Sequence, residues 1–273
     1  MTGNSRGAAV ELRDVSKRFR TSNGVLPWRR TAGEKVALHS TDLCVEQGTV
    51  CGIIGMNGSG KSTLVRILAT LMLPDTGWAR VFGHDVVADA ATVRRHVNRV
   101  SVEASFFKSL SPWENLLYSA RLYGSDDDDI RGRTTSVLAR LGLPAETLDR
   151  PMKQLSRGQQ QKVAIARSLL TAPSLLLMDE PTTGLDPQSK REVQSFITAM
   201  RTERDVTVLL CTHDLAEAEA LCDRVVLLDG GHVLADATPD DLRRQTQAAT
   251  LEEAFLQLVG RRLDDDTEPP EDS

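Results

Sequence analysis

The octapeptide Gly55-Met56-Asn57-Gly58-Ser59-Gly60-Lys61-Ser62 constrains this chain more than any other stretch. It follows the apolar run Val50 to Ile54 and leads directly into Thr63-Leu64-Val65-Arg66-Ile67-Leu68. A strand ending in a GxxxxGK[ST] loop that opens a helix is an anion cradle. Glycines let successive backbone N–H groups turn inward, and the helix N-terminus adds the positive end of its dipole. From this position Lys61 reaches β- and γ-phosphates, and the Ser62 hydroxyl suits Mg2+. A glycine-rich turn that happens to contain Lys-Ser is the competing reading, and the strand–loop–helix context disfavours it. The pattern predicts a nucleoside triphosphate with Mg2+.

A second acidic feature supports the first. Ser174 to Asp179 is nearly all apolar, the mark of a strand buried on both faces of a parallel sheet. It ends in Asp179-Glu180, at the carboxyl edge where such sheets place their sites. Asp179 suits a Mg2+ ligand, direct or through water, and Glu180 a general base that takes a proton from an attacking water. Two adjacent acids alone are usually a strand end in solvent. Here an apolar run precedes them and a phosphate loop stands upstream.

Around these motifs the periodicity predicts an α/β core carrying a helical insertion. Strands are expected at Val10–Phe19, Val36–Val45, Val50–Ile54, Trp78–Val81 and Val97–Val102, with a helix over Thr63–Leu73. Thr21 to Lys35, rich in Gly, Pro and basic residues around Trp28, is predicted to be a loop. Ser111-Pro112-Trp113-Glu114 combines a Ser cap, Pro at the first helical position and Glu three residues on, a strong helix start. From there to about residue 170 the chain is predicted mostly helical, including Ile130–Leu141 after the acidic run Asp126 to Asp129. Asp186-Pro187 caps a helix to Arg204, and Val206–Cys211, Asp214–Cys222 and Arg224–Asp229 then alternate in βαβ order. Thr238-Pro239 starts another helix, and Thr250–Gly260 a last one.

Composition bounds the partners. Of 273 residues, 33 are Lys or Arg and 38 are Asp or Glu, a net charge of −5 that does not ask for nucleic acid. The charge is uneven, with eight bases against three acids in the first 35 residues and six acids in Asp264 to Ser273. The latter stretch is predicted to be a disordered tail. Cys44, Cys51, Cys211 and Cys222 have no metal spacing and are expected as buried, reduced thiols. No apolar run approaches the length of a membrane span, so a soluble chain is expected, with any membrane role through a partner.

Leu155-Ser156-Arg157-Gly158-Gln159 opens a helical pattern. Ser156 with Gln159 is an ordinary capping box, or else this helix start is an anion site aimed at a second nucleotide. Both readings use the same exposed N–H groups. Sequence physics leaves them open.

GMNGSGKS, LSRGQ, LLLMDE, the TTGLD loop and His213 after the strand VTVLLC occur in the order of ATP-binding-cassette ATPases, which the chain resembles over about residues 9–245. The resemblance implies a RecA-like phosphate-loop NTPase core, an N-terminal antiparallel β subdomain, and an α-helical subdomain inserted at about 111–170. A C-terminal helix at 246–262 and the tail at 263–273 would follow. It implies ATP and Mg2+ held by Gly55, Asn57, Gly58, Ser59, Gly60, Lys61, Ser62 and Thr63, with Phe19 stacking on adenine and Trp28 a weaker candidate. Ser156, Gly158, Gln159 and Asp186 would meet a nucleotide across the interface with a second ATPase subunit, and His213 would sense its own γ-phosphate. Catalysis would rest on Glu180, His213 and Lys61.

Two departures from the family pattern stand out. Arg157 sits where many members have Gly, and the usual Gln after the strand into the helical subdomain is missing, with Glu103 the closest substitute as a metal ligand. Phe106 and Phe107 are expected beside a groove for a membrane subunit, although one of the two is as well explained by packing. The stretches LATLMLPDTGWARVFGHDV and TLEEAFLQLVGRR are similar to ATP-binding subunits of drug, antibiotic and polysaccharide exporters. The resemblance therefore implies an ATPase at the cytoplasmic face of the membrane, bound to an integral permease, with no nucleic acid partner. The alternative is a soluble cassette ATPase acting on nucleic acid or on complex assembly. An unrelated phosphate-loop GTPase would want an NKxD motif, which the sequence lacks.

Overall fold

Alternating side chains give the N-terminal segment one face to bury, and antiparallel partners cover it. The structure, a computed structural model, describes residues 7–23, 31–101, 105–122, 124, 130–204 and 206–265. In it β1 (Ala8–Asn23) pairs antiparallel with β2 (Thr31–Glu46). After β3 (Val50–Ile54) and α1 (Lys61–Leu68), β4 (Thr76–Val81) joins the other edge of β1 and carries the short β5 (His84–Asp85). This four-stranded sheet has the order β2-β1-β4-β5.

β4 accompanies β1 only as far as Ser16. Beyond it β1 and β2 continue as a two-stranded ribbon, with Phe19 opposite Lys35 and Asn23 opposite Thr31. The loop expected over Thr21–Lys35 is thus strand at both its ends. Cross-strand hydrogen bonds satisfy this backbone despite its turn-rich composition. Trp28 and Glu103 lie outside the described residues.

The second sheet holds the strands that are apolar on both faces. α2 (Ala90–His96) leads into β6 (Val97–Val100), which pairs in parallel with β7 (Leu175–Asp179). β8 (Thr207–Thr212) lies between β7 and β3, and β9 (Arg224–Asp229) pairs on the far side of β3. β10 (His232–Ala237) returns antiparallel to β9, giving the order β10-β9-β3-β8-β7-β6. Side chains alternate strictly between two cores. Ile53, Leu177 and Leu209 face the antiparallel sheet and α1, whereas Ile54, Met178 and Leu210 face a helical layer.

That helical layer begins with the insertion. α3 (Pro112–Leu122) starts at the predicted capping box: the Ser111 N–H donates to Glu114 Oε2 at 2.7 Å, and the Glu114 N–H donates to Ser111 Oγ at 3.2 Å. α4 (Ile130–Arg140) and α5 (Arg157–Ser168) complete it. α6 (Pro187–Arg204), α7 (Leu215–Leu221), α8 (Pro239–Thr246) and α9 (Leu251–Asp265) follow in the core.

Several sequence expectations are corrected. α1 ends at Leu68 rather than Leu73, and the chain leaves it through Thr70 at φ +60. β6 stops at Val100, while α2 and β10 had no strong periodic signal. The last helix runs on to Asp265, so the first two acids of the expected tail are helical. Cys51, Cys211 and Cys222 are buried, but Cys44 is exposed because it falls on the outer face of β2. Among the described residues no helix is long and apolar enough to cross a membrane.

Leu177 is fully buried in the middle of β7. Leu177→Ala is expected to cost about 2–5 kcal/mol of stability, since a central strand cannot collapse into the gap. Urea or guanidinium unfolding measures this, and a loss below about 1 kcal/mol would show a softer core than the packing implies.

Candidate nucleotide site

Three strand ends converge on one edge of the parallel sheet. Ile54 at the end of β3 lies beside Thr212 of β8, and Asp179 at the end of β7 lies beside Cys211. The residues that follow, Gly55, His213 and Glu180, therefore leave the sheet side by side. The register brings together three motifs far apart in sequence.

The phosphate loop turns into α1 at Gly60, which has φ +111. A Cβ there would sit 2.3 Å from the Ala37 carbonyl oxygen, so only glycine allows the turn. No side chain caps α1, an arrangement that leaves helix N–H groups to an anion. The Ser59 hydroxyl is buried with no partner among the described residues, a polar group that a ligand would satisfy. Lys61 Nζ donates to the carbonyl oxygens of Gly55 at 2.6 Å and Met56 at 3.1 Å. Burial holds its ammonium below the ordinary lysine range, while Glu180, Cys211 and Asp179 oppose that shift.

Ser62 Oγ donates to Asp179 Oδ1 at 3.3 Å. These hard oxygen donors fit Mg2+, which takes one or two carboxylates and completes its shell with phosphate and water. Burial pushes the Asp179 carboxyl above the usual carboxylate range, against the pull of Arg99 and Ser62. Next to it, Glu180 is held at φ +50, a left-handed backbone that non-glycine residues adopt at a cost. Its N–H donates to the Cys211 carbonyl at 2.8 Å, which fixes that conformation. His213 Nδ1 lies 3.1 Å from Glu180 Oε1, and Thr183 Oγ1 donates to Oε2 at 3.1 Å. Both oxygens of the carboxylate are oriented.

A cleft of about 270 Å³ opens over these groups, lined by Asn57 through Thr63, Glu180 and Phe19. Lys35 and Ala37 line it too. Sequence reasoning missed both, because only the β1–β2 register, with Lys35 opposite Phe19, carries β2 over the loop.

Ser156, Gly158, Gln159 and Asp186 do not line this cleft; they gather at the junction of α5 and α6. The capping box is realised there: the Gln159 N–H donates to Ser156 Oγ at 3.2 Å, and the Ser156 N–H donates to Gln159 Oε1 at 2.9 Å. Asp186 Oδ1 accepts from the N–H groups of Ser189 and Gln188, which hold its carboxyl below the usual range. Gly158 lets the two helices touch, since a Cβ would lie 2.7 Å from Ser189 Oγ. The Arg157 guanidinium lies against Gly184 of the same loop. Phe106 packs on the core beneath Arg167, whereas Phe107 is 53% exposed and meets Tyr118 edge-on.

The raised Asp179 carboxyl carries a prediction. Its charged form is disfavoured in the folded chain; this penalty is complete above the folded value and fades as pH falls through it. Asp179→Asn is therefore expected to raise the melting temperature of the nucleotide-free protein at neutral pH. The advantage should shrink as pH falls into the carboxylate range. A lower melting temperature at neutral pH would contradict it.

Comparison with known proteins agrees with this geometry. A family described as ABC transporter matches residues 38–183. The daunorubicin/doxorubicin resistance ATP-binding protein DrrA of Streptomyces peucetius is 42% identical over 207 residues, 76% of this chain. That match spans 62% of the length of the Streptomyces protein. The ABC transporter ATP-binding protein NatA of Bacillus subtilis is 33% identical over 255 residues, covering 93% of this chain and 99% of its own. Among solved structures, an ATP-binding cassette captured as a post-hydrolysis dimer with ADP and phosphate superposes with a TM-score of 0.73 at 26% identity. It covers 84% of this chain and 98% of its own. With its phosphate loop, acidic strand end and histidine gathered on one sheet edge and these matches along its length, the protein belongs to the ABC transporter family.

Proposed function

We infer that this chain is the ATP-binding and ATP-hydrolysing subunit of an exporter for a drug, antibiotic, lipid or polysaccharide, working through a separate membrane subunit. One observation carries the reading: the phosphate loop, Asp179, Glu180 and His213 meet at a single sheet edge, while Ser156, Gly158, Gln159 and Asp186 gather elsewhere. A site divided in this way needs a second copy to complete it. The solved relative that is a dimer bound to ADP and phosphate supports such pairing.

In this reading ATP lies along the cleft with its base on Phe19 and its phosphates in Gly55 to Thr63. Lys61 exchanges the carbonyls of Gly55 and Met56 for β- and γ-phosphate oxygens. Ser62 and Asp179 hold Mg2+, which when bound neutralises charge on the phosphates. Glu180, with His213 on one oxygen and Thr183 on the other, accepts the proton of the attacking water. His213 keeps the carboxylate aimed and meets the γ-phosphate. Ser156, Gly158, Gln159 and Asp186 of the partner copy close the site from the far side. Hydrolysis then loosens the closed dimer and passes the change to the membrane subunit.

A groove of about 430 Å³ between core and helical subdomain suits that membrane partner. Leu71 and Leu122 line it and are 65% and 69% exposed, and Arg94, Arg99 and Arg167 border it. Phe107 does not line this groove; it packs edge-on against Tyr118 of α3, the helix that supplies Ser119 and Leu122 to the groove. In this reading the chain works at the cytoplasmic face of the membrane. The names of the drug-resistance relatives support export, and the net charge of −5 argues against nucleic acid.

Glu180→Gln is expected to lower ATPase turnover at least about 100-fold while ATP binding persists, and to accumulate an ATP-bound dimer on size exclusion. Hydrolysis at the wild-type rate would remove Glu180 from the base role. Phe107→Asp is expected to weaken co-purification with the membrane subunit without changing ATP affinity. Equal losses of both would mean Phe107 is a packing residue.

A further inference from the structure

The β1–β2 ribbon brings a second cation to the phosphate loop. Phe19 and Lys35 are directly opposite in the antiparallel register, so their side chains share one face of the ribbon. That face looks into the nucleotide cleft, which both residues line. Lys35 Nζ lies 3.7 Å from the point where a Cβ on Gly58 would stand, at the centre of the loop. Its ammonium is therefore at the mouth of the anion cradle.

Nothing among the described residues engages it. Its neighbour Glu34 is turned to Arg18, at 3.6 Å. Lys61 is buried and donates to the loop's own carbonyls, whereas the Lys35 side chain is exposed and its ammonium makes no hydrogen bond or ion pair with a described residue. An unpaired ammonium beside a row of phosphate-binding groups finds its counter-charge when a polyphosphate arrives.

We propose that Lys35 is a further binding residue for the nucleotide, pairing with its polyphosphate from the ribbon side while Phe19 carries the base. This rests on the ATP reading above and gives the last residue of the basic segment a function. The contribution is electrostatic: it depends on the phosphates, weakens with salt, and belongs to binding rather than to the chemical step.

Calorimetric titration of the wild type, Lys35→Met and Lys35→Arg with ATP, ADP and adenosine, at low and high salt, tests it, with Lys61→Ala as the binding-defective reference. Lys35→Met is expected to weaken ATP and ADP about three- to tenfold at low salt, with a smaller deficit at high salt and no change for adenosine. Lys35→Arg, which keeps the charge, restores most of the affinity. Wild-type ATP affinity in Lys35→Met, with Lys61→Ala impaired, would overturn the role of Lys35 and leave the ATP reading standing. An equal loss for adenosine would also overturn it, because the lysine stem would then only be packing. A wild type that bound no ATP would overturn the ATP reading and this inference together.

Discussion

The register of β8 between β3 and β7 is the constraint on which the site depends. Parallel main-chain bonding sets Ile54 beside Thr212 and Asp179 beside Cys211, so three strands end at the same height. A slip of one residue would turn every side chain of β8 to the other core, and both faces of that strand are fully buried. The fit of those side chains into two close-packed cores thus sets the register, and the register sets the distances between the phosphate loop, the two acids and the histidine. Catalytic geometry here is a consequence of apolar packing.

Within that frame the site concentrates features that do not stabilise the chain. Lys61 and Asp179 are buried charges whose ionised forms the environment disfavours, Ser59 is an orphaned hydroxyl, and Glu180 occupies a strained backbone region. Each is a local conflict of the kind expected where function outweighs stability. In the proposed reading, a polyphosphate with a divalent cation would resolve several of them at once, pairing with Lys61, sharing Asp179 and accepting from Ser59. Ligand and protein are then complementary in charge.

The other half of the machinery is held by different means. α5 and α6 are locked by the largely buried Lys162–Glu192 ion pair, by Gln188 on Glu192 and by the close approach at Gly158. Thr182 adds a bond at 2.7 Å to the buried Glu217 of α7, tying the loop before α6 to the helix after His213. The start of α5 and the Asp186 loop therefore behave as one unit. In the proposed dimer, motion between this unit and the phosphate loop of a partner copy would be a rigid-body matter.

The motifs were legible in the sequence because their chemistry is local. Consecutive residues from Gly55 to Ser62 build the anion cradle, one short strand carries Asp179 and Glu180, and Ser111 with Glu114 or Ser156 with Gln159 cap their own helices. The apolar run of β7 likewise announced a strand buried on both faces of a parallel sheet. What tertiary structure alone decided was pairing between distant segments. The ribbon formed where composition suggested a loop, β10 paired at the sheet edge, and Lys35 came over Gly58. None of these leaves a local periodic signal, since each follows from which strand lies opposite, and that choice is made by burial summed over the whole core.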